Sequence, residues 1–213
     1  MSTSRRLPRL ALATITAVLL SLGLTSATTT ATAAAPQFSD VPPSHTFYEH
    51  ITAMAEDGLV NGFADGTFRP SASLTRGQLA VVLFNAIGDD YTPPAQARFS
   101  DVPRTHSFYR HISYLSAEGA ISGFSDGTFR PNAPVTRGQF SAIIVNLFDG
   151  PTDQPERRYF SDVPPSHTFY RHIGILHEYG FINGFADGTF RPNASLTRGQ
   201  FSVVMANFFG LLR

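Results

Sequence analysis

Phe38-Ser39-Asp40-Val41-Pro42 decides the fold, because the chain writes it three times. It returns as Phe99-Ser100-Asp101-Val102-Pro103 and as Phe160-Ser161-Asp162-Val163-Pro164, each copy sixty-one residues after the last. The likeness continues through Gly62-Phe63-Ala64-Asp65-Gly66-Thr67-Phe68-Arg69-Pro70 and through Thr75-Arg76-Gly77-Gln78, both of which recur at the same step. Self-similarity at a fixed period sets an architecture before any single residue is interpreted. The copies fill the chain after residue 35, so whatever the protein does, the repeats do.

Each copy reads as four parts. Phe38 to Pro43 is a short extended or turn segment, since its Pro-Pro pair disfavours helix. A helix of about ten residues follows, near Phe47 to Asp57 in the first copy. Phe47, Ile51, Met54 and Ala55 fall on one face of it, as do Phe108, Ile112 and Leu115, and Phe169, Ile173 and Leu176. Gly58, Gly119 and Gly180 stand where a helix ends in a left-handed residue. The third part is a loop with an Asp-Gly turn, Asp65-Gly66, Asp126-Gly127 and Asp187-Gly188, anchored by inward phenylalanines such as Phe63 and Phe68. One aspartate before a glycine is too few oxygen ligands for a calcium loop. The fourth part is a second helix that opens on a capping box: Thr75 with Gln78, Thr136 with Gln139, Thr197 with Gln200. These second helices are apolar almost all round, which predicts burial.

The units are expected over 36–91, 97–149 and 158–213, joined by Pro-, Asp- and Arg-rich linkers. A unit of about fifty residues rarely stands alone without disulfides or metal, and the chain has no cysteine. The fold class is therefore mainly α: three helix-loop-helix repeats sharing one pseudo-threefold helical core. Terminal copies of an open solenoid show polar capping changes. These do not, which favours closure into a ring.

Residues 1–34 read as a signal peptide. Arg5, Arg6 and Arg9 precede an apolar run from Leu10 to Leu24, and Ala31-Thr32-Ala33 fits a small-x-small cleavage site, with the cut after Ala33 or Ala34. The mature chain is expected outside the cell, without a transmembrane helix. Sixteen arginines, no lysine and sixteen acids give zero formal net charge. Three of those arginines lie in the leader, so the remainder is slightly acidic, which argues against nucleic-acid binding through a broad basic face. With no cysteine, thiolate catalysis and Cys-ligated zinc are excluded. The histidine pairs His45/His50, His106/His111 and His167/His172 are five apart, on different sides of a helix, and have no carboxylate cluster beside them. They read as packing or hydrogen-bonding residues; no metal and no cofactor is expected. No Gly-x-Ser-x-Gly, phosphate loop or His-Glu-x-x-His appears, and no catalytic residue is assigned.

Together the Phe-x-Asp-Val-Pro start, the short helix ending in glycine, the Gly-Phe-x-Asp-Gly-Thr-Phe-Arg-Pro loop and the Thr-Arg-x-Gln helix start resemble the S-layer homology domain, over roughly Phe38 to Leu211. The resemblance implies a spindle of three helical prongs. It also implies a non-catalytic surface module that binds a secondary cell-wall polysaccharide, often one with pyruvate ketals, in grooves between prongs. Other envelope proteins are the further partners it suggests. In the family a Thr-Arg-Ala-Glu motif lies at those grooves. Residue by residue, that lands on Thr75, Arg76, Gly77 and Gln78, on Thr136, Arg137, Gly138 and Gln139, and on Thr197, Arg198, Gly199 and Gln200. This chain has glutamine where the family has glutamate, and Thr46, Ser107 and Thr168 where the family has tryptophan.

Independently of the resemblance, an arginine in the first turn of a helix sits beside unpaired amides and the positive dipole end, a ready anion site. Arginine also grips a carboxylate with two hydrogen bonds. The competing role for Arg76, Arg137 and Arg198 is a structural salt bridge. Arg69, Arg130 and Arg191 read as braces of the Asp-Gly turn. Asp40, Asp101 and Asp162 read as acceptors for neighbouring amides, with a role in the groove left open. The rival to the binding module is a structural protein that assembles through its own faces.

Overall fold

A computed structural model describes residues 37–87, 91–148 and 150–212. The expected signal peptide lies outside the described residues. Six helices run α1 (Tyr48–Glu56), α2 (Arg76–Ile87), α3 (Tyr109–Ala117), α4 (Arg137–Leu147), α5 (Tyr170–Glu178) and α6 (Arg198–Phe209). Odd-numbered helices are the short first helices of each copy, and even-numbered ones are the apolar second helices. Regular strands are absent among the described residues; single antiparallel bridges are the only β-type pairing there.

The local signals act as read. Thr136 and Thr197 cap α4 and α6, with Gln139 and Gln200 reaching back in full capping boxes. Thr75 and Gln78 make the same two bonds at α2. Gly58 has φ of 69°, and Leu59 then donates back to the Met54 carbonyl at 2.9 Å, closing α1. Phe47, expected as the first helical residue, instead caps α1; its N–H donates to His45 Nδ1 at 3.1 Å.

Among the described residues the main helix pairs form between copies. α2 lies on α3, α4 on α5, and α6 returns to α1, which closes the ring. The axis is sewn by three hydrogen bonds that chase each other. Leu74 N donates to Leu196 O at 2.8 Å, Val135 N to Leu74 O at 2.9 Å, and Leu196 N to Val135 O at 2.9 Å. The side chains of these three residues are buried together with Leu79, Phe140 and Phe201, and the last two rings meet edge to face at 5.8 Å. A single hydrophobic cluster takes core residues from all three copies. Small units that cannot bury enough apolar surface alone gain it by sharing.

The loops rest on the Phe-x-Asp-Val-Pro segments. Asp40 accepts from Phe68 N and Arg69 N, both at 2.7 Å, one with each carboxylate oxygen. Asp101 and Asp162 do the same for Phe129 and Arg130, and for Phe190 and Arg191. These amides are about thirty positions away, not sequence neighbours as expected. The grip holds Arg69, Arg130 and Arg191 at φ of 58–59°, a region that non-glycine residues enter only when the surroundings force it. Arg69 braces the turn as read, bonding Asp65 at 2.8 Å while its guanidinium lies 4.0 Å over the Phe63 ring.

Candidate groove between repeats

Arg76, Arg137 and Arg198 begin the second helices and are only 5%, 5% and 8% exposed. Their helices bury one face at the axis, so each side chain is driven sideways into the next copy. Arg76 Nε donates to Phe129 O at 2.8 Å and its Nη2 to Ser122 O at 2.7 Å. Arg137 repeats this on Phe190 O and Asn183 O. Arg198 closes the circle on Phe68 O and Asn61 O, at 2.8 and 2.9 Å. Each guanidinium also lies over two phenyl rings: for Arg198, Phe68 at 4.3 Å and Phe63 at 5.0 Å. Phe63 is thereby held between Arg198 of the third copy and Arg69 of its own.

The salt-bridge reading of these three arginines therefore does not describe them. Among the described residues the ion pairs are Arg69–Asp65, Arg130–Asp126 and Arg191–Asp187. Burial is the main influence pulling the Arg198 guanidinium below its ordinary value, and nearby Arg69 adds to it while Asp40 opposes. Arg76 and Arg137 respond alike, to burial first and then to Arg130 and Arg191. Arginine keeps its proton through such shifts. Each junction thus buries a cation held by carbonyls and rings, with no carboxylate in ion-pair reach among the described residues.

The expected unpaired amides are not there. At α6, Arg198 N donates to Ala72 O, Gly199 N to Pro70 O, Gln200 N to Thr197 Oγ1 and Phe201 N to Thr197 O. The starts of α2 and α4 are satisfied in the same way. The carbonyls of the neighbouring copy reach the helix start first, so the anion-site argument rests on the arginine charge alone. Gly77, Gly138 and Gly199 allow close approach, and what approaches is a ring. A Cβ on Gly199 would lie 2.2 Å from Phe47 Cδ2, and one on Gly138 2.3 Å from Phe169 Cδ2.

Around the first copy these parts line an open groove of about 180 Å³. Arg198 and Phe201 enter it from the third copy, Phe108 from the second, and Asn61, Phe63, Gln78 and Asn85 from the first. Its polar groups are one cation and several neutral carboxamides. Gln78 and Arg198 of the sequence-derived set meet here; Asp40 is not a lining residue. Asn85 was missed by the sequence reading. It recurs as Asn146 and Asn207, an exposed polar residue on each otherwise apolar helix, and that recurrence was the available signal.

The histidines take local roles. His45, His106 and His167 accept the Phe47, Phe108 and Phe169 amides. His50, His111 and His172 bury Nδ1 without a partner. Among the described residues no three His, Cys, Asp or Glu side chains gather as a metal site would need. No helix of the described residues is long and apolar enough to cross a membrane.

The family model for the S-layer homology domain matches residues 37–80, 98–141 and 159–202. Cell surface glycoprotein 1 of Acetivibrio thermocellus is 29% identical over 159 residues, 70% of this chain and 7% of that protein. The cellulosome-anchoring protein of the same organism is 28% identical over 175 residues, 79% of this chain and 37% of that protein. The surface-layer 125 kDa protein of Lysinibacillus sphaericus is 29% identical over 163 residues, 74% of this chain and 14% of that protein. The chain thus spans well under half the length of each of these relatives. Three matched units, in the order and spacing of the three copies, cover most of the sequence, and the chain belongs to the S-layer homology domain family.

Proposed function

We propose that this chain is a non-catalytic module that anchors its bearer to the bacterial cell surface by holding an anionic secondary cell-wall polysaccharide in grooves between its repeats. One observation carries the reading. The Arg198 guanidinium is buried, has no carboxylate in ion-pair reach among the described residues, and borders a groove otherwise lined by carboxamides, phenyl rings and aliphatic side chains. A buried charge paired directly only with carbonyls and rings is costly, and an acidic sugar substituent supplies an ionic partner. Asn61, Gln78 and Asn85 suit sugar hydroxyls, because a carboxamide both donates and accepts. Relatives named as a cellulosome-anchoring protein and a surface-layer protein support the anchoring role.

In this reading Arg76, Arg137 and Arg198 supply the charge, and Gln78, Gln139 and Gln200 line the groove walls. Thr75, Thr136 and Thr197, with Gly77, Gly138 and Gly199, fix where each arginine stands. Asp40, Asp101 and Asp162 hold the loop that the arginine grips. Residues 1–34 direct export, and the functional units are 36–91, 97–149 and 158–213.

Co-sedimentation of the chain with purified wall sacculi tests this. Binding should vanish when the accessory polysaccharide is stripped. Asn85→Asp places a negative charge at the groove on an exposed helix position and should weaken binding several-fold without altering the fold. Equal binding to stripped and native sacculi would sink the proposal. Assembly that grows with concentration in the absence of polysaccharide would favour the self-assembling structural protein instead.

A further inference from the structure

Tyr179 breaks the threefold pattern. The first and second copies carry Asp57 and Glu118 at this place, just past the end of the first helix, and the third carries a tyrosine. It is 40% exposed, and among the described residues no other aromatic side chain is as open. Its ring lies beside that of Phe181, with centroids 6.4 Å and planes 30° apart. The two rings are tilted to each other, so the open apolar face is that of Tyr179 itself.

Phe181 departs from the pattern too. It replaces Leu59 and Ala120, and Leu59 is a wall residue of the groove around the first copy. The pair therefore stands at the matching edge of the third copy. From behind, Phe181 rests on Phe208 at 4.9 Å, and Phe208 on Phe148 of the second copy at 4.7 Å. This ladder is absent from the other copies, where Ala86 and Leu147 hold the place of Phe208. It fixes the two rings without covering the outer face of Tyr179.

We infer that Tyr179, supported by Phe181, is a stacking platform for one sugar ring of the wall polysaccharide, at the groove edge of the third copy. The inference rests on the polysaccharide reading above and extends it to residues outside the repeated motifs. The size of the face argues for a sugar over a protein. A stable protein interface takes about 800 Å² from each side, and one partly exposed tyrosine beside a half-buried phenylalanine offers a small fraction of that. A pyranose has the complementary form: its C–H face lies flat on an aromatic ring while its hydroxyls stay in water. Tyrosine suits this with a rigid apolar body and a polar tip. The charged side chains of the other two copies could not stack in this way, so the platform makes the third groove edge unlike the first and second.

Isothermal titration of the full chain with accessory polysaccharide released from purified wall sacculi tests it. Tyr179→Ala, and Tyr179→Glu, which restores the acid type of the other copies, should each weaken binding about tenfold, or ~1.4 kcal/mol. Tyr179→Phe should keep most of the affinity. The position follows a helix end at the surface, so thermal melting of all three variants should match wild type. Wild-type affinity in Tyr179→Ala overturns the platform and leaves the anchoring proposal standing. No binding by the wild-type chain overturns both. Sedimentation velocity without polysaccharide supplies a last outcome: a dimer that Tyr179→Ala dissolves would assign this face to a protein contact and overturn the sugar assignment.

Discussion

At the scale of the residue, the arginines decide how the groove can be tested. Arg198 gives two charge-assisted hydrogen bonds to carbonyls about 130 residues earlier in the chain, so it fastens the ring shut. Bonds of this kind contribute about 1.5–3 kcal/mol each, and removal leaves buried carbonyls without donors. Arg198→Ala should therefore lower the melting temperature by many degrees, as should Arg76→Ala and Arg137→Ala, and calorimetry reads it. An unchanged melting point would remove the arginines from the ring's support. Loss of wall binding in such a variant cannot stand as proof of ligand contact, which is why the exposed Asn85 is the better probe. Asp65 makes a second residue-level case. Hydrogen bonds from Thr67 and then from Arg69 hold its carboxyl down at about 2, against an ordinary 3.8. A carboxylate depressed in the folded state stabilises above its unfolded value, and that contribution fades as pH falls toward about 2. Side-chain carboxyl NMR should show Asp65 still ionised at pH 3; a midpoint near 3.8 would mean the turn bonds do not form in solution.

At the scale of the element, the first helices were legible in the sequence and their partners were not. Apolar spacing, terminal glycines and Thr-x-x-Gln boxes are local, and they located the starts of α1 to α6 to within a residue or two. The Asp-Gly turn and its arginine brace were legible for the same reason, since Asp65 and Arg69 are four apart. The arginine at each helix start binds carbonyls 46 to 137 residues away, and no local pattern encodes that. The neighbour's carbonyls also took the helix-start amides, which sequence reasoning left free for an anion. The histidines in mid-helix show what helix pairing does to chemistry. His111 lies edge-on to Phe84 of α2 at 5.0 Å, and its Nδ1 has no partner. Arg171 Nη2 and His172 Nε2 are 3.1 Å apart. Arginine only donates, so Nε2 accepts and the imidazole proton sits on the buried, unpartnered Nδ1. Burial first, and then Arg110 or Arg171, pushes both imidazoles below the ordinary 6.5. The unfolded chain then binds more protons in acid than the folded one, so stability is full above about pH 6.5 and falls as pH drops below it. Melting temperature should decline from pH 7.5 to pH 5, and His111→Phe combined with His172→Phe should flatten that decline. An equal slope in the double variant would place the acid sensitivity elsewhere.

At the scale of the whole molecule, the pairing of helices across copies makes the repeat a unit of sequence but not of folding. Within the first copy, α1 faces α6 and α2 faces α3. Excision leaves both helices without the surfaces they bury, and removes the Leu196 and Val135 backbone partners of Leu74. The hydrophobic gain of a unit this small does not offset the entropy of ordering it. A peptide of residues 37–91 should accordingly show little helix by circular dichroism and no cooperative melt. The ring further differs from an open array. In a solenoid, nearest-neighbour terms allow one end to fray while the rest holds. Here each copy touches both others, and losing any one opens two of the three helix pairs and breaks the bond cycle at the axis. Unfolding should be a single transition, with calorimetric and van't Hoff enthalpies equal. Gly138→Ala provides the sharper version. Its Cβ would collide with Phe169 at the junction of the second and third copies alone, an overpacking that costs about 1–3 kcal/mol. In a closed ring this local injury lowers the one transition as a whole. Two separated transitions in that variant, one shifted and one unmoved, would show that the copies fold as independent beads and that the ring does not govern their stability.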